Sequence, residues 1–237
     1  VPEEECAAVS VLTPELVDQF RRFDSASVSN AIETFDVRLR NEGFADGRLR
    51  CLFPDRPAVI GHAVTARIRC SSPPPVGHSY HDRTDWWNFI VSVPAPRIVV
   101  VQDVDDRPGL GAFVGDVHAQ ILHALGCVGY ATNGTVRDIG DIRELGFQLF
   151  ASGPAVSHAF AHIVDFGQPV EVGGLTVATG DILFGDGGGL LSVPPALVPQ
   201  IPAVVQRMHS KEAHVIAFCR SARFSIDGLR ALVRDLG

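Results

Sequence analysis

Asp116, Arg137 and Asp138 are the residues of this chain whose types and spacing could do chemistry. Asp116 lies in VGDVHA and the Arg-Asp pair in NGTVRDIGD, with twenty residues between Asp116 and Arg137. A guanidinium stays charged and pairs with carboxylates through parallel hydrogen bonds, while carboxylates hold cations and pass protons. The same residues also have ordinary uses. Asp138 could cap the helix that follows it, with Asp141 as a weak capping-box partner, and Arg137 could be a plain ion-pair partner. Asp116 suits a helix start through the helix dipole, whatever else it does.

The flanking segments say how these residues come near one another. RIVVVQDV (97–104) is a continuous apolar run ending in acids, the pattern of a strand buried on both faces. GDVHAQILHALG predicts a helix stopped at Gly126, and CVGYATN (127–133) the next strand. DIGDIRELG predicts a short helix closed by Gly146, and FQLFA a further strand. Strand and helix therefore alternate from about 97 to 151, as parallel α/β units do. Asp116 starts the helix after the first of these strands, and Arg137–Asp138 follows the second. Both are thus expected on the sheet edge where such folds place ligands.

Upstream, TPELVDQFRRF and DSASVSNAIETF predict two helices, capped by Thr13 and by Asp24 or Ser25. AVIGHAVTARIRC (58–70) predicts a long strand, and DRTDWWNFIVSV a helix. Past residue 162 the Gly/Pro punctuation predicts antiparallel hairpins, followed by two closing helices, with Pro199 and Pro202 interrupting or delaying the first. No flexible or charged linker divides the 237 residues, so residues 1–237 are expected to form one domain. A net charge of -7 without a basic run argues against a nucleic-acid groove or a membrane-surface patch. Five scattered cysteines without a CxxC pair suggest neither zinc nor a disulfide framework, but reduced thiols of a cytoplasmic protein. No apolar run approaches the roughly 20 residues of a membrane span.

GDVHAQILHALGCVGYATNGTVRDIGDIRELGFQLFASG, followed by PVEVGGLTVATGDILFGDGGGLLSVP, resembles the family named for regulator of ribonuclease activity A. Within it, Asp-x20-Arg-Asp resembles the 4-hydroxy-4-methyl-2-oxoglutarate aldolases, which are class II pyruvate aldolases. The resemblance spans about 25–217 and is strongest from 111 to 194. It implies an α/β fold of the swivelling β/β/α type, with a mixed sheet and flanking N- and C-terminal helices. It also implies a homotrimer or a multiple of three, with sites at subunit boundaries. Asp138 would hold Mg2+ or Mn2+, and Arg137 would bind the keto oxygen and carboxylate of a small 2-oxo acid. Asp116 would order metal-bound water and share in proton transfer, with Gly115 and Val117 beside the substrate. Glu212, in HSKEAH, would reach in from a neighbouring subunit. The implied activity is a carbon–carbon lyase, aldolase or oxaloacetate decarboxylase, acting through a metal-stabilised pyruvate enolate. Two alternatives stand beside it: a non-catalytic regulator that binds an RNA-processing nuclease, and a related metal-dependent enzyme with another acid substrate.

Other motifs read more plainly. DVDD (103–106) is expected as a solvated turn rather than a metal site, and HSYHD (78–82, with His78 and His81) as a mobile loop rather than a zinc site. GDGGG (185–189) lacks the lysine of a phosphate loop and predicts a hairpin turn. Trp86 and Trp87 are expected as core or interface anchors. His118, Gln120 and His123 depart from the small or aliphatic residues of the resembled family, and His118 is expected to point away from Asp116 on an ideal helix.

Overall fold

Capping chemistry starts the first two helices where the sequence predicts. Thr13 Oγ1 accepts from the Leu16 N–H at 3.3 Å to open α1 (Pro14–Phe20). Asp24 Oδ1 accepts from the Ser27 N–H at 2.8 Å to open α2 (Ser25–Glu33). The computed structural model describes residues 11–78 and 82–236.

After the short edge strand β1 (Arg50–Cys51), β2 (Val59–Arg69) forms the axis of an eight-stranded mixed sheet. Its residues are buried almost without interruption, because layers cover both faces. α3 (Asp85–Ser92) buries Trp86, whose ring stacks on Phe89 at a centroid distance of 6.0 Å, in line with an anchoring role. β3 (Arg97–Asp103) runs parallel to β2. β4 (Ala112–Val114) leads into α4 (Asp116–Ala124), and β5 (Cys127–Thr132) pairs in parallel with β3. The short β6 (Thr135–Val136) precedes α5 (Ile139–Glu144), then come β7 (Gln148–Ala151), parallel to β5, and β8 (Gly153–Pro154). Gly126 and Gly146 stop α4 and α5 at φ of 76° and 80°.

The second half is antiparallel. β9 (His162–Phe166) pairs with the C-terminal half of β2, and β10 (Val170–Val172) forms a hairpin with β11 (Leu175–Val177). β12 (Ile182–Asp186) and β13 (Gly189–Val193) form a second hairpin, with Gly187 and Gly188 as its turn. GDGGG is therefore a hairpin, not a phosphate cradle. α6 (Ile201–Cys219) is continuous: Pro202 sits in its first turn and delays the helix without breaking it. α7 (Ile226–Leu236) closes the described chain.

One face of the sheet carries both helical layers: α1, α2 and the start of α6 pack on it through Phe20, Ile32, Phe184 and Ile201, and further along α3, α4 and α5 pack through Ile90, Leu122 and Ile142. The opposite face, with Val59, Ala63, Ile98 and Val100, packs on the β10–β11 hairpin through Val170 and Leu175. Fully burying such a side chain stabilises by roughly 1.5–3 kcal/mol. Four cysteines, Cys51, Cys70, Cys127 and Cys219, are free thiols; Cys6 lies outside the described residues. Among those residues no helix is long and apolar enough to cross a membrane.

One expectation needs correction. Asp116 and Arg137 do not open directly from the ends of the main parallel strands. β4, β6 and β8 form a separate three-stranded parallel sheet, and both residues follow its strands. Asn133 and Gly134 turn the chain from β5 into β6, so the strand at 127–133 stops short of the pair it was expected to carry.

Candidate active site

The small sheet sets the spacing of the site. Ala112 pairs with Thr135 and Val114 with Val136, and the Arg137 N–H continues the ladder to Val114 O at 3.1 Å. Asp116 then begins α4 while Arg137 and Asp138 lead into α5, side by side. Gly115 is the residue between strand and helix. A Cβ there would lie 2.5 Å from Asp138 Oδ2 and 2.9 Å from Arg137 Nε, so a larger residue would have to displace these two side chains.

Asp138 occupies the N-cap position of α5, yet its side chain makes no capping bond to that helix. Its backbone is left-handed, at φ 53° and ψ 36°, and its Oδ2 accepts from the Asp116 N–H at 3.1 Å. The carboxylate thus caps the opposite helix. A non-glycine residue held here costs on the order of 1–3 kcal/mol, although Asp tolerates the region better than most. Arg137 Nε lies 3.4 Å from Asp138 Oδ2, with the two side chains 37% and 39% exposed, so the ion pair is loose and faces solvent. Among the described residues, no hydrogen bond occupies the Arg137 Nη atoms or Asp138 Oδ1.

Gly115, Asp116, Val117, Arg137 and Asp138 all border one cavity of about 310 Å³. His118 also forms part of its wall. It is buried, donates from Nδ1 to Phe113 O at 3.0 Å and stands edge-on to the Phe113 ring at 4.6 Å. Burial pushes its pKa down to about 4, so the ring is neutral near neutral pH. Ala112, Phe113, His158 and Ala161 complete the lining and had no marked spacing in the sequence. Glu212 stands exposed on the outer half of α6 and does not border the cavity within its own chain.

Carboxylate oxygens are the donors that Mg2+ and Mn2+ prefer, and Asp138 offers one into an open cavity with Asp116 beside it. The residues present therefore fit a hydrated divalent cation. A second acidic group is less suited. The ligand atoms of Cys70, Asp103 and Asp105 lie within 4.8 Å of one another. Asp105 accepts from the Cys70 and Ser71 N–H groups, both at 2.8 Å, and from Ser71 Oγ at 2.6 Å. Asp103 accepts from the Gly109 N–H at 2.8 Å and the Asp105 N–H at 3.1 Å, and burial raises its pKa. Burial also pushes the Cys70 thiol up to about 12, so the sulfur is not a thiolate near neutrality. DVDD is therefore a buried loop staple at Asp103 and Asp105, not the solvated turn expected. In HSYHD, Ser79, Tyr80 and His81 lie outside the described residues.

The Aldolase/RraA family profile matches residues 13–191. Protein DlpA of Legionella pneumophila is 25% identical over 186 residues, covering 76% of this chain and 28% of its own length. A Halalkalibacterium halodurans protein provisionally named 4-hydroxy-4-methyl-2-oxoglutarate aldolase is 26% identical over 126 residues, covering 53% of this chain. The chain spans 59% of that relative's length, so it covers only part of both proteins. The solved structure of Streptomyces coelicolor RraAS2, described as an unusual member of the RNase ES inhibitor RraA protein family, superposes with a TM-score of 0.65. It is 22% identical and covers 86% of this chain and 96% of that one. Its match supports the α/β fold with mixed sheet and flanking helices. By the profile match over most of its length, the chain belongs to the Aldolase/RraA family.

Proposed function

We propose that the protein is a divalent-metal-dependent carbon–carbon lyase acting on pyruvate-derived 2-oxo acids, of the 4-hydroxy-4-methyl-2-oxoglutarate aldolase or oxaloacetate decarboxylase type. The observation that carries this reading is the convergence of Asp116, Arg137 and Asp138 on one cavity, with the outer faces of Arg137 and Asp138 uncommitted. Asp138 would hold Mg2+ or Mn2+. When bound, the cation supplies Lewis-acid stabilisation of negative charge on the substrate's keto oxygen. Arg137 offers its planar fork to the substrate carboxylate, and its positive charge favours the enolate over the neutral ketone. Asp116 holds water at the helix start and delivers a proton at C3 once the carbon–carbon bond has broken. The backbone at Gly115 and Val117 lines the substrate's path. Glu212 from a neighbouring subunit completes the site in a homotrimer or a multiple of three.

The provisional aldolase name of the Halalkalibacterium relative supports this reading. The kinship of the Streptomyces protein with RNase ES inhibitors supports a second one, a regulator that binds an RNA-processing nuclease. A surface binder has no use for a guanidinium and two carboxylates gathered on one cavity, so the lyase is preferred. The test is pyruvate release from a panel of 4-hydroxy-2-oxo acids and oxaloacetate. Release from at least one of them supports the lyase. Inertness toward the whole panel, with Mg2+ or Mn2+ supplied, contradicts it.

A further inference from the structure

We infer that His158 is a catalytic residue of this site, its Nε2 taking the proton of the C4 hydroxyl when a 4-hydroxy-2-oxo acid is cleaved. The inference rests on the lyase reading above and concerns the part of the substrate that Arg137 and Asp138 do not reach.

His158 borders the same cavity as those two residues, but from the loop between β8 and β9. The loop is held tightly. Ser157 O accepts from the Ala112 N–H at 2.9 Å, which ties it to the first residue of β4. His158 O accepts from the Ala161 N–H at 2.9 Å, and Ser157 Oγ accepts from the Ala159 N–H at 2.9 Å. Ala159 is held at φ 46°, a left-handed conformation without glycine's freedom. At Gly111 a Cβ would lie 2.5 Å from His158 O, so glycine is what lets the loop close against the strand leading to the site.

The ring is oriented as well. Nδ1 lies 2.7 Å from Ala159 O, and because a carbonyl can only accept, Nδ1 must carry the proton. In the neutral imidazole this leaves Nε2 as an acceptor. An acceptor on a residue that borders a cavity whose other groups suit a carboxylate and a cation is matched by a donor on the substrate. In a 4-hydroxy-2-oxo acid that donor is the hydroxyl at C4.

The step balances without a further reactant. The hydroxyl proton passes to Nε2, C4 becomes a carbonyl carbon, and the C3–C4 bond breaks with its electron pair left on the pyruvate fragment as an enolate. C3 then takes one proton from water at Asp116, and Nε2 releases one to solvent. Oxaloacetate decarboxylation breaks a carbon–carbon bond with no hydroxyl to deprotonate, so it does not need His158.

The test uses the full chain supplied with Mg2+, as wild type and as His158→Asn. The asparagine amide can donate to Ala159 O in place of Nδ1 but offers nothing at the position of Nε2. Three rates are compared: cleavage of 4-hydroxy-4-methyl-2-oxoglutarate, decarboxylation of oxaloacetate, and deuterium exchange into the pyruvate methyl group in D2O. The expected result is a fall of about 10²–10⁴-fold in kcat for cleavage, with decarboxylation and exchange within about twofold of wild type. Equal losses in all three assign His158 a structural role and overturn the proposal, as does undiminished cleavage. If His158→Asn does not fold, His158→Gln is read in the same three assays against the same outcomes. A wild type active on oxaloacetate but inert toward the hydroxy acid overturns this proposal and leaves the lyase reading standing. A wild type inert in all three overturns both.

Discussion

Arg137 and Asp138 have adjacent places in the chain but unequal commitments. Asp138 is held in the left-handed region by the turn into α5, and one carboxylate oxygen is engaged by the Asp116 N–H at 3.1 Å. Arg137 touches it only through Nε at 3.4 Å. An exposed pair of this kind contributes about 0–1 kcal/mol to stability. Arg137→Lys therefore separates the two uses of the residue. Lysine keeps the charge and loses the fork, so the variant is expected to melt within a few degrees of wild type while kcat falls by ~10²–10³-fold. Kinetics and a thermal melt on one sample check this, and near-normal kcat with a lowered melting temperature would make the pair structural. Residue types, spacing and the family resemblance singled out Asp116, Arg137 and Asp138 as candidates, and all three border one cavity. They could not reveal that Asp138 turns its carboxylate from its own helix to the next, because that depends on a backbone angle. Nor could they select His158, which lies in an irregular loop and reaches the cavity only through Gly111 and Ala159.

β4, β6 and β8 show why the elements were only partly legible. The long strands β2, β3 and β5 and the capped helices α1, α2 and α4 announce themselves through apolar runs, caps and terminal glycines. β4 has three residues, and β6 and β8 have two each, too short for any hydrophobic period to register. Yet this sheet, not the main one, brings the site residues together. DVDD misled for a related reason: acids in a loop are usually solvated, but here backbone N–H groups close around Asp103 and Asp105. His118 fastens α4 to β4 through Phe113 O, and its pKa of about 4 has a consequence for stability. The unfolded ring titrates near its ordinary value of about 6.5, so below that pH the unfolded chain takes up a proton that the fold resists. The contribution is fully present above about 6.5 and is lost at roughly 1.4 kcal/mol per pH unit as pH falls toward 4. Melting temperatures measured from pH 7 to pH 4 are expected to fall less steeply in His118→Gln than in wild type. Parallel profiles would show that His118 does not titrate this way.

The whole chain carries a net charge of -7, so under the proposed function the attraction of an anionic substrate would have to come locally, from Arg137 and a bound cation. Exposed apolar side chains occur at the cavity and on the segments that lead to it. Val117, which borders the cavity, is 72% exposed, and Val156 and Phe160, on the loop that carries His158, are 100% and 52% exposed. A neighbouring subunit packed on these side chains would bury them and bring an acid such as Glu212 to the cavity. Light scattering at micromolar concentration is accordingly expected to report three chains or a multiple of three. A stable monomer would remove Glu212 from the site. The most direct measurement is the initial rate of pyruvate release by wild type and Asp138→Asn, before metal removal, in excess EDTA, and after Mg2+ or Mn2+ is restored. Asparagine tolerates the left-handed backbone and can still accept from the Asp116 N–H, so the cap survives while the charge is lost. Even partners of metal ligands are worth 10–100-fold, so losing a direct ligand should cost about 10²-fold or more. Wild type is expected to lose activity in EDTA and regain it with metal, and Asp138→Asn to stay inactive throughout while melting near wild type. Undiminished release by Asp138→Asn, or by wild type in excess EDTA, would contradict the metal-dependent lyase.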